Sequence, residues 1–201
     1  MGYDIGADQL LLHTIQTEAA FEALLSHGVL EPDIALAEPD FADAYAWMLR
    51  QMAARLGTQG DGALWFWARI RREDLLESCR LSRGEVLLTC RVPRERVMLS
   101  NFGDWHSVLN ACPFVPDLPG ESDDAFSARI DKVLEDFYDR LKAAGARDAG
   151  ISGWPGHLRA EAERSWEFAL EPANYGRFEA WQGTMHRLHL EDVVEAVRIE
   201  S

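Results

Sequence analysis

Residues 97–110 read VMLSNFGDWHSVLN, and this stretch decides the fold because its pattern changes in the middle. An apolar run, VML, ends at the polar pair Ser100-Asn101, and the residues that follow have the spacing of a short helix. A strand that ends at a polar turn and continues as a helix places side chains at the end of a sheet, where ligands commonly bind. The stretch therefore predicts a mixed α+β fold with a recognition site near Ser100.

The bulk composition indicates a globular domain of ordinary size. The 201 residues are 47% hydrophobic and carry a net charge of −14, which argues against broad nucleic-acid binding because phosphate contacts need clustered Lys and Arg. The three cysteines form no C-x-x-C pair, so free thiols in a reducing compartment are expected. No apolar run reaches the roughly 18 residues of a membrane span, and the acidic N-terminus is not a signal peptide. These features predict a cytoplasmic protein without membrane contact.

Apolar periodicity places the secondary structure along the chain. Helices are predicted between the cap Thr17 and Gly28, and at residues 41–56, 123–144 and 157–170. Strands are predicted at residues 9–15, 63–71, 85–92 and 96–100, with two more, TMHRLHL and EAVRI, inside 178–199. The connection at residues 93–95 is too short for a parallel crossover, so antiparallel or merely successive strands are expected there.

This pattern favours an α+β protein with one small, mostly antiparallel sheet, either continuous or split, and several flanking helices. Residues 1–201 are expected to form a single domain, in which residues 121–170 are a helical insertion between Pro-rich and Gly-rich loops.

Several motifs resemble those of an uncharacterised bacterial domain family. They follow one another over nearly the whole chain: HTIQT at 13–17, AYAWM at 44–48, QM at 51–52, WFW at 65–67, LSNF at 99–102, WH at 105–106, LN at 109–110, SWE at 165–167 and QGT at 182–184. The chain departs from the family pattern at Asn101, where the family usually has Asp, and in the acidic helix 123–144. This resemblance implies an architecture and no reaction.

The beginning of the chain is also similar to ADP-ribosyltransferase-like domains. The similar part is a strand that ends in His13-Thr14, then a helix, then GVL at 28–30. The resemblance implies NAD as the ligand, with His13 holding its ribose. A late strand would supply the group beside the nicotinamide ribose, which makes Gln182, or Glu179 three residues earlier, the second candidate catalytic residue. In such a reaction an amide or carboxylate would stabilise the positive charge of the transition state.

Further residues are candidates for cofactor binding, and each has a competing structural interpretation. Trp65 and Trp67 share a strand face and suit base stacking, but they equally suit core packing. Arg71 suits a pyrophosphate, or is part of a solvated, Arg-rich strand edge. Tyr45, in the apolar stripe of the helix predicted at 41–56, is a further candidate for stacking on the ligand. The remaining candidates are polar groups at or near the predicted strand tips, and a capping network is the alternative for the cluster around Ser100: Thr14, Ser100, Asn101, His106 and Asn110.

A metal site is not expected from the two late histidines. His186 and His189 are three residues apart on a predicted strand, where side chains at that spacing point to opposite faces.

Two classes of function remain open. The first is an NAD- or nucleotide-binding domain of the ADP-ribosyltransferase type, with or without turnover. The second is a non-catalytic acidic module that binds a basic protein partner.

Overall fold

The computed structural model describes residues 4–33, 35, 37–175 and 180–200. It confirms an α+β fold in which every strand pairing of the described residues is antiparallel. Six strands form one open sheet in the order β5-β6-β3-β1-β4-β8, and β2 pairs with β7 in a separate two-stranded sheet. The strands are β1 (Gln9–Gln16), β2 (Val29–Leu30), β3 (Leu64–Arg69), β4 (Val86–Pro93), β5 (Met98–Asn101), β6 (Trp181–Met185), β7 (Leu188–His189) and β8 (Val193–Arg198).

Six α-helices accompany the strands in the described residues, and two of them begin at the predicted caps. The Thr17 side chain accepts a hydrogen bond from the Ala20 N–H at the start of α1, and Ser122 accepts one from the Ala125 N–H at the start of α5. Gly28 ends α1 in the left-handed conformation, with φ of 73°. The helices are α1 (Glu18–His27), α2 (Ala42–Arg55), α3 (Arg72–Leu81), α4 (Phe102–Leu109), α5 (Asp123–Ala143) and α6 (Gly156–Trp166).

The chain divides into two compact units. The sheet unit comprises the described residues of 1–37, 48–102 and 171–201 and contains every strand. The helical unit comprises Glu38–Trp47 and Gly103–Leu170, and it contains the whole of the predicted insertion at residues 121–170. No helix in the described part of the chain has the length and apolar character that crossing a bilayer requires.

The core of the sheet unit lies on one face of the large sheet. Alternate residues of β3 are buried there, namely Leu64, Phe66 and Ala68, as expected for a strand with one covered face. From α1, Phe21 and Leu24 belong to the same apolar cluster. Burial of these side chains stabilises the unit by roughly 1.5–3 kcal/mol for each large apolar group.

The connection between β4 and β5 shows that the large sheet is strongly curled. These strands lie four positions apart, which is about 19 Å on a flat sheet because neighbouring strands are about 4.8 Å apart. The chain from Pro93 to Met98 spans at most about 17 Å when fully extended, and Arg94–Arg96 is a compact 3-10 turn. β4 and β5 are therefore successive in the chain and do not pair with each other. The curl of the sheet brings them close enough for the short connection.

Gly183 is the position of β6 at which Val97, the last residue of this connection, packs on the core face. A Cβ atom on Gly183 would lie 2.8 Å from Cγ1 of Val97 and 3.4 Å from Cδ2 of Leu12. A distance of 2.8 Å is well inside van der Waals contact, so only glycine fits here without displacement of Val97. Packing against Val97 therefore requires glycine at the middle position of the QGT motif.

The structure differs from the predicted elements in two places. The single predicted strand TMHRLHL is wrong, because β6 ends at Met185 and β7 pairs in the other sheet. The buried His186 lies at this break, where its Nδ1 donates a hydrogen bond of 2.9 Å to the Gly62 carbonyl. The helix α3 was not predicted because it buries no residue fully and so has no clear apolar stripe.

We predict that Gly183→Ala destabilises the protein by about 1–3 kcal/mol, because the added methyl group overpacks the core against Val97. The control is Gly57→Ala, since a Cβ at Gly57 meets nothing within 4 Å. Urea unfolding curves of both variants measure the effect. Val97→Ala in the Gly183→Ala background should recover part of the loss, and purely additive losses would contradict the proposed contact.

Candidate functional site

Six directly paired residues form a line across the large sheet, one from each strand. The register pairs each residue with the next, from β5 at one edge to β8 at the other. Directly opposite residues of antiparallel strands point to the same face, so all six side chains lie on the face opposite the core. We call this set the polar row: Ser100, Gln182, Trp67, His13, Thr89 and Glu195.

His13 occupies the middle of the polar row and is largely buried, with 9% of its surface exposed. Its Nδ1 lies 3.2 Å from Oγ1 of Thr89, which fixes the orientation of the ring. Burial lowers the pKa of His13, and the negative charge of Glu195 opposes this effect. The lowered pKa favours the neutral imidazole, and the tautomer set by the Thr89 contact decides whether its Nε2 is a donor or an acceptor.

Ser100 and Gln182 form the buried end of the polar row. Ser100 is fully buried, and both its Oγ and the buried Oε1 of Gln182 have no hydrogen-bond partner among the described residues. A buried polar atom left unpaired costs roughly 1–3 kcal/mol. In the next row of the same face, by contrast, Thr184 donates to the Met98 carbonyl at 3.3 Å. Within these two rows of the sheet face, the unpaired atoms of the described residues belong to the polar row, and such atoms suit a bound group.

Two tryptophans provide aromatic surface beside these polar atoms. Trp67 lies between His13 and Gln182 in the row, and its ring meets Phe102 edge to face at 5.0 Å. Trp65 lies one row further along on the same face, opposite Thr184. Both tryptophans are only partly buried, whereas Phe66 between them belongs to the core cluster. Both rings therefore lie on the face opposite the core, where each is partly exposed.

The structure separates other candidate residues of the sheet unit from the polar row. Thr14 points to the opposite face from His13, and its Oγ1 accepts a hydrogen bond from Gln16 at 2.8 Å. Asn101 is buried opposite Trp181, also away from the row. Arg71 precedes α3 at the surface and binds Asp74 through two hydrogen bonds of 2.7 and 3.1 Å. Glu179 lies outside the described residues.

Tyr45, His106 and Asn110 belong to the helical unit. The Tyr45 ring meets Phe41 edge to face at 6.3 Å, and burial followed by the charge of Glu38 raises the pKa of its hydroxyl. His106 lies in α4 and Asn110 directly follows that helix, and both residues are exposed. The Asn110 N–H continues the helical pattern by donating to the His106 carbonyl at 2.9 Å.

Two residues of the polar row were not among the candidates. Thr89 and Glu195 complete the polar row, but a threonine or glutamate in a strand gives no signal until the strand pairing is known. In the helical unit, burial and then the charge of Asp117 raise the pKa of Asp104 to about 6. The sequence signal for this raised pKa was the position of Asp104 directly before Trp105, an aromatic residue that is buried in the structure.

The chain belongs to a family of unknown function, described as Domain of unknown function (DUF3841), whose model matches residues 11–194. This finding confirms the resemblance to an uncharacterised domain family. No curated protein and no solved structure matches the chain. The resemblance to ADP-ribosyltransferase-like domains stays a prediction.

We predict that acidification destabilises the protein through His13. Because its pKa is lower in the folded state than in the unfolded chain, the unfolded chain binds the proton more readily. The free energy of unfolding should therefore fall as the pH falls through about 6.5, and the fall should end once folded His13 is also protonated.

Thermal melts between pH 8 and pH 5 test this. His13→Gln should lose less stability than the wild type over this range, while the contribution of Asp104 is common to both proteins and cancels in the comparison. His27→Gln, at an exposed position at the end of α1, is the control and should follow the wild type. Identical pH dependence in His13→Gln and the wild type would contradict the assignment.

Proposed function

We propose that this chain binds an NAD-class nucleotide on the polar row, as a domain of the ADP-ribosyltransferase type. The proposal rests on two buried atoms, on Ser100 and Gln182, that have no partner in the described part of the chain. They lie in one line with Trp67 and His13. Evolved proteins retain unpaired buried polar atoms chiefly where function uses them.

The order of groups along the row fits a nicotinamide riboside. His13 suits the ribose hydroxyls, Trp67 suits the aromatic ring, and Gln182 suits a polar substituent on that ring. His13 and Gln182 are two strands apart, or about 10 Å at the usual strand spacing. A ribose joined to a six-membered ring is of comparable length, so the ligand can reach both ends.

A different arginine from the one expected suits the phosphates of the ligand. Arg91 is exposed on the same face as Thr89, two residues further along β4. Its guanidinium can bind a pyrophosphate through two parallel hydrogen bonds. We therefore propose Arg91, rather than Arg71, as the phosphate-binding residue.

ADP-ribosyl transfer is the reaction that the resemblance implies for such a ligand. The bond between the ribose anomeric carbon and the nicotinamide nitrogen breaks, and nicotinamide leaves with the electron pair. An acceptor oxygen or nitrogen forms the new bond and loses a proton. Gln182 can assist only through its dipole, because an amide does not act as a base at neutral pH. We accordingly propose binding as the primary activity and slow turnover at most.

Thermal-shift titration with NAD and with ADP-ribose tests the proposal. A ligand that binds only the folded state adds about 2.7 kcal/mol at a hundredfold excess over its Kd, so the melting temperature should rise. His13→Ala should lose most of this shift, because it removes the ribose contact. His27→Ala removes an exposed histidine from α1 and should retain the full shift. No shift with either nucleotide would refute the proposal.

The second candidate function is binding of a basic protein partner, and one observation favours it. The helix α5 exposes a set of acidic side chains over most of its length: Asp123, Asp124, Asp131, Glu135, Asp136 and Asp139. Such a surface speeds association with a basic partner, with a strong dependence on salt. A stoichiometric partner that is captured at low salt, released at high salt and lost on charge reversal of α5 would support it.

A further inference from the structure

The strand β8 forms one edge of the large sheet. In the described part of the chain it is the last strand in the order and pairs with β4 alone. Ile199 donates its N–H to the Glu85 carbonyl at 2.8 Å, so its main-chain groups point towards β4. Because these groups alternate in direction along a strand, the N–H and C=O of Ala196 and Arg198 point to the open side. We propose that β8 of a second copy of this chain pairs there and forms a twofold symmetric dimer.

Exposed apolar side chains are concentrated at this edge. Seven large apolar residues are exposed among those the structure describes, and two of them lie in β8, where Val194 is 54% and Val197 is 47% exposed. Leu81 is 81% exposed and lies three residues before Gly84, whose N–H donates to the Ile199 carbonyl at 3.0 Å. Such a patch on a strongly acidic chain indicates a protein interface, and interfaces between identical chains are the more apolar kind.

The helix α1 runs along β8 and adds a second layer to the edge. At its start, Glu18 lies 2.6 Å from the guanidinium of Arg198. At its end, the Gly28 carbonyl accepts a hydrogen bond of 2.9 Å from the N–H of Leu190, three residues before β8 begins. Leu25 follows Glu18 by two helical turns, so it lies on the side of α1 that borders β8, and it is 45% exposed. A partner at the edge would therefore meet apolar groups from both layers.

A twofold axis at Val197 gives the pairing that suits this edge best. Val197 then lies directly opposite its own copy, and Ala196 exchanges both main-chain hydrogen bonds with the partner's Arg198. An axis at Glu195 or at Arg198 would set two like charges directly opposite each other, which is unfavourable. An axis at Ala196 would set the apolar Val197 opposite the charged Glu195 of the partner subunit.

The same axis continues a row of apolar side chains from one copy into the other. Ile15, Leu87 and Val197 are directly paired across β1, β4 and β8, two residues along from the polar row and on the same face. Ile15 and Leu87 are half-buried, and Val197 is the exposed end of the row. The second copy would cover this end in both chains, and burial of exposed apolar surface drives association.

Sedimentation velocity at protein concentrations from roughly 1 to 100 µM tests the dimer. The dimer fraction should rise with concentration. It should rise further when NaCl is increased from about 0.05 to about 0.5 M, because two chains of net charge −14 repel each other and salt screens this repulsion. A complex with a basic partner would show the opposite salt dependence.

Ala196→Pro blocks the open side of β8 and leaves its pairing with β4 intact. The N–H that proline lacks points away from β4, so the melting temperature of the monomer should be retained. Self-association should weaken at least about tenfold, because the edge loses a donor and the proline ring obstructs the incoming strand.

A charge exchange at Val197 tests the position of the axis. Val197→Lys and Val197→Glu should each weaken self-association at least about tenfold, because like charges would lie directly opposite each other. An equimolar mixture of the two variants should recover the dimer, because a lysine then faces a glutamate. Val133→Lys, at an exposed position of α5, is the matched control and should dimerise like the wild type.

Four results would overturn the proposal. The first is a monomer at every concentration and at both salt concentrations. The second is a dimer that Ala196→Pro leaves unchanged, because the interface would then lie elsewhere. The third is a mixture of the two Val197 variants that recovers no dimer, because the axis would then not lie at Val197. The fourth is a monomer that binds a basic protein through β8 and releases it at high salt, because another occupant would then cover the edge.

Discussion

The pairing of His13 with Trp67 joins the two halves of the large sheet, and the rest of the structure depends on its register. On one side it connects β1 with β4 and β8, and on the other it connects β3 with β6 and β5. A slip of one residue would move every side chain of a strand to the other face. This single register therefore determines both the apolar core on one face and the polar row on the other.

The two faces of β6 differ in character: one is tightly packed and the other bears a buried polar group. Gly183 has no side chain, which leaves room on the core face for the side chain of Val97. Its neighbour Gln182 faces the other way and carries, in the polar row, a buried oxygen with no hydrogen-bond partner among the described residues. Tight packing on one face thus positions, on the other face, a polar group whose burial lowers the stability of the fold. This combination is common at binding sites.

Sequence reasoning succeeded where the signal was local. The apolar run before Ser100 and the helical spacing after it correctly gave β5 and α4, and the cap Ser122 with its apolar stripe gave α5. It failed for α3, which buries no residue fully, and at the break after Met185, where the buried His186 interrupts a strand-like pattern.

The site was predictable only in part, because register is a property of the folded sheet. His13 and Gln182 came from a resemblance, and the structure places them on one face with Trp67 between them. Thr14 directly follows His13, and because neighbours in a strand point to opposite faces, it lies away from the row. Thr89 and Glu195 lie far from the other candidates in sequence, and only strand pairing brings them into the row.

The most direct test of this account is a crystal structure of the protein grown with NAD. The account predicts that the nicotinamide ring stacks on Trp67, with its amide nitrogen roughly 2.7–3.2 Å from Oε1 of Gln182 and its ribose at His13. A structure in which NAD binds elsewhere, or in which the polar row is unchanged at saturating NAD, would contradict it.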